Sequence, residues 1–262
     1  QEERREAATT RGRMMTETPK VNRPAPLKNV SAFATLLELL VDRDPKLPGL
    51  GAFFGPSGWG KTESAIYGAN RYRAAYVECG QFTSARSLLS DILKELGEPT
   101  PRGNIEAMKN QAIMLMVGDP RRPVIIDEAH FIAHKKFVDL LRELSDKSGA
   151  PVVMIGEERL PMLLEAFERV HNRVLEWLPA LPCDAEDFAL LTVNRCGGIK
   201  LAPDLAAAIL DKTKGNTRRI VINLAKAVQV AKLAGVGTVD LDTFGGAGAI
   251  NATPKFTARK FQ

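Results

Sequence analysis

The chain has 262 residues, 45% of them hydrophobic and 26% charged, a balance that excludes a disordered, collagenous or fibrous protein. No apolar run approaches the roughly 18 residues of a membrane span, and the charged start, Gln1 to Arg13, has no hydrophobic signal region. Lys and Arg number 36 against 31 Asp and Glu, a net charge of +5 that permits nucleic-acid binding without requiring it.

Residues 1–28 read as a flexible basic arm, rich in arginine and punctuated by Pro19, Pro24 and Pro26. It is either a plain linker or an arm that touches nucleic acid. Ser31 is placed to cap a helix carrying Phe33, Leu36, Leu37 and Leu40, which ends before Asp44-Pro45. Leu50 to Phe54 reads as a buried strand running into a glycine-rich turn, and a helix follows from Thr62. Ala74 to Cys79 reads as a second strand. Two helices come next, one ending at Gly97 and one carrying Ile105, Met108, Ala112 and Leu115.

Val124 to Ile126 forms a third strand, ending at Asp127-Glu128. A helix through Phe137, Leu140, Leu141 and Leu144 leads to a fourth strand, Val152 to Ile155. A helix spanning Leu160 to Val170 and a fifth strand, Val174 to Leu178, complete the alternation. Three of the strands are unbroken apolar runs, as strands covered on both faces are, so the pattern predicts a parallel α/β sheet. From Asp184 to Ala234 only helix periods occur, which predicts a small all-helical domain. The expected boundaries are an arm at 1–28, an α/β core at 29–181, a helical lid at 182–238 and a loose basic tail at 239–262. Cys79, Cys183 and Cys196 lack metal-ligand spacing and read as reduced, buried thiols of a cytoplasmic protein.

The turn Gly55-Pro56-Ser57-Gly58-Trp59-Gly60-Lys61-Thr62 matches G-x-x-x-x-G-K-[ST] between a strand and a helix. Gly58 and Gly60 let the chain turn so that backbone N–H groups point inward, and the helix N-terminus adds positive potential. Lys61 is placed for the β- and γ-phosphates of a nucleoside triphosphate and Thr62 for Mg²⁺. Asp127, at the carboxyl end of a buried strand, is the second candidate Mg²⁺ ligand, and Glu128 the group that orients and deprotonates an attacking water. No Asn-Lys-x-Asp motif occurs, which disfavours a GTPase. Asp127-Glu128-Ala129-His130 spells a helicase box, but such helicases need two RecA-like domains and this chain has room for one. His130 reads as a loop or helix-start residue, or as one that couples nucleotide state to a partner.

The phosphate loop, the acidic strand end and the helical domain that follows resemble the AAA+ ATPases over about residues 29–235. That resemblance implies a P-loop NTPase sheet with a helical lid, and ATP with Mg²⁺ as ligands. It also implies roles for further residues. Glu157 stands where the fourth strand ends in a polar sensor, although Asn or Thr is usual there. Arg173, with Arg169 as second choice, matches the arginine that reaches a neighbouring subunit's γ-phosphate. Arg218, in Gly215-Asn216-Thr217-Arg218-Arg219, matches the lid arginine that contacts the nucleotide. An arginine acting in trans implies a homo-oligomer, either a ring or a helical filament.

The loop Gly-Pro-Ser-Gly-x-Gly-Lys-Thr, the strand end Val-Ile-Ile-Asp-Glu-Ala-His and the segment Ile-Gly-Glu-Glu-Arg-Leu are similar to one AAA+ group, the regulators of DNA transposition. This is the group of the phage Mu B protein, TnsC and TniB. It implies filaments on double-stranded DNA that recruit and stimulate a transposase, in a bacterial or phage-infected cell. ExeA-type secretion ATPases share much of the core but carry a membrane span, which this sequence does not show. A nucleotide-dependent switch for a protein partner is the third reading. Arg86, Arg102, Lys109, Lys135 and Lys136 are the candidate contacts to duplex phosphates. With 6% aromatic residues, stacking on single strands is disfavoured.

Overall fold

The computed structural model describes residues 26–252, so the expected arm up to residue 25 and the tail from residue 253 lie outside the described residues. Helix α1 (Lys28–Val41) starts three residues ahead of the expected cap. Leu27 takes the N-cap position, and the Ser31 N–H already donates to Leu27 O at 3.0 Å, inside the first turn. Lys28 therefore belongs to the helix and not to an arm.

The core then alternates as the apolar runs predict. Its elements are β1 (Leu50–Phe54), α2 (Lys61–Tyr72), β2 (Ala75–Glu78), α3 (Ala85–Glu95), α4 (Ile105–Gly118), β3 (Val124–Asp127) and α5 (His130–His134). They continue with α6 (Asp139–Ser148), β4 (Val152–Gly156), α7 (Leu160–Glu165), α8 (Glu168–His171) and β5 (Val174–Pro179). The single helix expected over 160–170 is two short ones, because Phe167 leaves the helical region at φ −121°, ψ 68°.

All five core strands are parallel, in the order β2-β3-β4-β1-β5. Placing β4 between β1 and β3 sets the ends of those two strands about 10 Å apart, room for a phosphate chain between them. Side chains alternate across the sheet. Val124, Ile126, Val152 and Met154 pack against α3, α4 and α6, while Phe53, Ile125, Val153 and Ile155 face α1 and α2. Gly68 lets α1 approach α2 closely, since a Cβ there would fall 2.6 Å from the Leu37 side chain and 2.8 Å from Phe33.

The lid holds α9 (Ala185–Arg195), α10 (Pro203–Thr213) and α11 (Thr217–Ala234). It is not all helical: β6 (Lys200–Leu201) pairs in parallel with β7 (Thr238–Val239). It also runs past residue 238, because Val239, Phe244 and Ile250 are buried with Leu205, Ile209 and Leu224. The segment expected to open the basic tail is thus part of the lid core as far as the described residues extend. All three cysteines are buried and free. No described helix is long and apolar enough to cross a membrane.

Candidate nucleotide-binding site

The phosphate loop lies at the carboxyl edge of the sheet, where β1 ends. Gly58 and Gly60 both adopt left-handed backbone conformations, φ +83° and +82°, which a side chain would strain. Lys61 is the first residue of α2, and its ammonium donates to Gly55 O at 2.7 Å and Pro56 O at 2.9 Å. The lysine is thereby folded back over its own loop, on the inner side where phosphate oxygens would compete for it. Burial pulls its pKa below the usual lysine value, while the carboxylates of Glu128, Asp127 and Glu157 hold it up.

Asp127 is 2% exposed and its carboxylate is fully engaged. Oδ2 accepts from Thr62 Oγ1 and from the Tyr76 hydroxyl, each at 2.9 Å, and Oδ1 accepts from the Glu128 N–H at 2.8 Å. Thr62 and Asp127, 65 residues apart, thus meet as the motifs require. A hydroxyl and a carboxylate oxygen converging on one point are hard donors of the kind Mg²⁺ takes, so the residues present fit that ion. Burial pushes the Tyr76 hydroxyl far above its ordinary pKa, and the charge of Asp127 adds to the effect.

Glu128 follows in a left-handed conformation, φ +54°, which costs a non-glycine residue about 1 kcal/mol. Such strain persists where the surrounding structure holds a side chain in a working position. Burial, then the neighbouring Asp127, raises the Glu128 pKa, while Lys61 opposes the rise. His130 Nδ1 comes within 3.2 Å of Glu128 Oε2 but off hydrogen-bonding geometry, and among the described residues it finds no hydrogen-bond partner. Burial lowers the His130 pKa.

A cavity of about 470 Å³ opens between core and lid. Its polar end is formed by the phosphate loop with Glu78, Glu128 and Glu157. The cavity is also lined by Leu27 at the N-cap of α1, Val30 of α1, Leu191, Asn194 and Arg195 of α9, and Val221 and Ile222 of α11. An apolar slot joined to a phosphate cradle has the shape and polarity a nucleotide needs. Arg218 lines the cavity from the lid, on the first turn of α11.

Two hydrogen bonds dock the lid on the loop. Asn216 caps α11 by accepting from Arg219 N–H at 3.1 Å, and it donates to Ser57 O at 2.9 Å. The Arg218 N–H donates to Gly58 O at 3.0 Å. Gly58 is required here a second time, since a Cβ would fall 2.6 Å from Asn216 Oδ1. On the opposite side Asn29 of α1 donates to both Trp59 O and Leu181 O at 2.8 Å and accepts from Leu181 N–H. Lys28 beside it pairs with Asp184 and Glu186 of the lid.

The structure therefore brings together the loop residues 55–62 with Asp127, Glu128, Glu157 and Arg218. It does not bring Arg173 to that site. Arg173 precedes β5, and β5 runs beside β1 with Val174 opposite Leu50, so Arg173 lies at the other end of the sheet. Five residues of strand separate the two ends by about 17 Å. Its side chain pairs with Asp146 at 3.6 Å, and Arg169 is exposed on α8 close by.

The candidate duplex contacts divide. Arg86, Arg102, Lys135 and Lys136 are exposed, while Lys109 is held between Glu106 at 2.9 Å and Glu143 at 2.8 Å. Sequence reading missed Tyr76, Asn29 and the apolar end of the cavity. None of these carries a local signature, because each acts on a residue far away in the chain.

Residues 43–164 match the family model described as the AAA domain. No curated protein matches the sequence. Among solved structures, the Aeropyrum pernix ORC2 protein in ADPNP and ADP complexes is similar, with 17% identity and a TM-score of 0.70 over 91% of this chain and 73% of that one. Cdc6p from Pyrobaculum aerophilum is similar at 18% identity and a TM-score of 0.60, covering 86% of this chain and 66% of that one. The Aeropyrum pernix ORC1 protein in complex with DNA is similar at 20% identity and a TM-score of 0.60, covering 84% and 64%. This chain thus spans just under two thirds of the last two proteins. The five-stranded parallel sheet, the phosphate loop beneath a docked lid and the matched AAA segment together establish a P-loop AAA+ fold for this chain.

Proposed function

We propose that the chain is an ATPase that assembles on duplex DNA and regulates transposition, choosing the target and recruiting and activating a transposase. The observation that carries the ATPase part is the meeting of Lys61, Thr62, Asp127 and Glu128 at one sheet edge under Arg218. The loop amides and Lys61 bind the phosphate chain of ATP, and the apolar slot between α1, α9 and α11 takes the base. Glu128 orients a water and accepts its proton as the water attacks the γ-phosphate. Thr62 and Asp127 would hold Mg²⁺, which when bound offsets phosphate charge. Glu157, past the end of β4, faces the same space and stands beside the phosphates as a water-mediated sensor.

Arg218 closes the site from the lid. Arg173 serves the site of a neighbouring copy, a reading supported by the family resemblance and by its place at the far end of the sheet from its own loop. This supports a homo-oligomer whose nucleotide sites lie between subunits. DNA binding is supported by the exposed cations on the core and by the ORC1 neighbour, which was solved in complex with DNA. The motif resemblance supports transposition as the process served. The ORC and Cdc6 likeness favours a second reading, in which the same DNA-bound ATPase serves a different DNA transaction.

The test is ATP turnover with and without duplex DNA, together with electron micrographs of the ATP-bound protein. Duplex-stimulated turnover, filaments, and loss of both in Lys61→Ala are expected. Arg173→Ala subunits are expected to bind ATP yet fail to hydrolyse it, and to regain turnover when mixed with Glu128→Gln subunits. No duplex binding at low salt refutes the DNA part, and full turnover in Lys61→Ala refutes the whole reading.

A further inference from the structure

After β2 the chain makes a tight turn, Gly80 to Thr83. It is closed by the Thr83 N–H to Gly80 O at 3.0 Å and the Gly80 N–H to Thr83 Oγ1 at 2.8 Å. At its tip Phe82 is 92% exposed, whereas the other described phenylalanines are buried or partly buried. The ring is therefore held out into water on a hydrogen-bonded turn.

Cations flank the turn. Lys135 Nζ donates to Thr83 O at 2.8 Å, which fixes that ammonium beside the turn, and Lys136 follows it. Arg86 enters α3 just after the turn and donates to Gly103 O at 2.6 Å, which brings Arg102 alongside. The first turn of α3 holds no acid, and Arg86 there opposes the helix dipole, so the helix itself gains nothing from that charge. Among the described residues, none of these four cations is in an ion pair, in contrast to Lys109.

A cluster of unpaired cations flanking a turn with a projecting apolar ring has the complementarity of a bent or kinked duplex. Phosphates take the charges without regard to sequence, and an apolar side chain entering a base step partly unstacks it. We propose that this surface grips duplex DNA, with Arg86, Arg102, Lys135 and Lys136 on backbone phosphates and the Phe82 ring wedged at a base step. The inference rests on the proposed duplex binding and adds a deforming element to it. A deformable step becomes the preferred seat, which gives target preference without base-edge hydrogen bonds.

The experiment uses the full chain, a labelled duplex and a duplex carrying 2-aminopurine, whose fluorescence rises on unstacking. Wild type is expected to raise that signal. Phe82→Ala should weaken duplex binding about tenfold, keep the salt dependence and lose the signal. Phe82→Trp should retain both. The Lys135→Glu, Lys136→Glu pair should instead flatten the salt dependence. Duplex binding with normal salt dependence but no effect of Phe82→Ala on affinity or signal overturns the wedge and leaves the DNA reading intact. Tighter binding to single strands than to duplex overturns the duplex as occupant. No binding to duplex at low salt overturns both.

Discussion

Asn216 offers a sharp test of how the lid is held over the phosphate loop. Its Oδ1 caps α11 and its Nδ2 reaches Ser57 O, so replacement by alanine removes two separate interactions. Loss of an N-cap costs about 1 kcal/mol, and loss of a neutral hydrogen bond about 1 kcal/mol more. Only the Ser57 bond crosses from lid to loop, so lid docking weakens by about 1 kcal/mol, about fivefold in the docking equilibrium, while the lost cap loosens the start of α11 itself. The direct reporter is the amide of Arg218, whose acceptor is Gly58 O across the interface. Its hydrogen exchange is expected to accelerate by about that factor in Asn216→Ala, while amides in β3 and β4 are unaffected. Asn216→Ser keeps a capping oxygen but is too short to reach Ser57, so it should show the same docking loss while sparing the stability of α11. Unchanged Arg218 exchange in Asn216→Ala or in Asn216→Ser refutes the docking argument.

Tyr76→Phe removes one of the three donors that hold Asp127, at a stability cost of about 1–2 kcal/mol measured by thermal unfolding. It is expected to weaken Mg²⁺-dependent nucleotide binding and leave Mg²⁺-free binding unchanged; equal loss in both would show that Tyr76 merely packs. Glu128→Gln should retain ATP binding and lose turnover by about 10²–10⁴-fold in a phosphate-release assay. Because the Glu128 pKa is raised by burial, the acid limb of turnover in wild type lies above pH 4.5, the ordinary value for that carboxyl. The same shift has a stability consequence of definite sign. Between that ordinary value and the raised one, the folded chain holds a proton that the unfolded chain has released, so this contribution falls as pH rises through the window. Nucleotide-free Glu128→Gln is therefore expected to melt higher than wild type at neutral pH and no higher below pH 4, and a lower melting temperature at neutral pH would refute the assignment.

The phosphate site was legible because its chemistry is contiguous. Gly55 to Thr62 supply the turn, the amides, the ammonium and the hydroxyl in eight consecutive residues, and Asp127-Glu128 directly follow a run of buried aliphatics. Strands β1, β3 and β4 were legible for a related reason: strands covered on both faces lose the polar alternation and read as apolar runs. Strands β6 and β7 were not, since two residues carry no period, and the residues that bury them beyond 238 look like loop. The break between α7 and α8 was hidden as well, because an apolar stripe at helical spacing continues across Ala166 and Phe167.

Local sequence alone determined that a turn of phosphate-loop form exists, where it lies in the chain, and that a parallel sheet presents it, because turn geometry and burial are set by neighbouring residues. Only the tertiary structure decided which distant groups complete it. Tyr76 on Asp127, Asn216 on Ser57, and Leu27 and Val30 opposite Leu191 are pairings between segments that no spacing rule relates. The same holds for the distance that keeps Arg173 from its own site, and for Lys109, whose charge is neutralised by Glu143 on a neighbouring helix. The reason is physical: the pattern of burial follows from each segment's own residues, whereas a charge or hydrogen bond has its role set by whatever the packed chain places within about 3 Å of it.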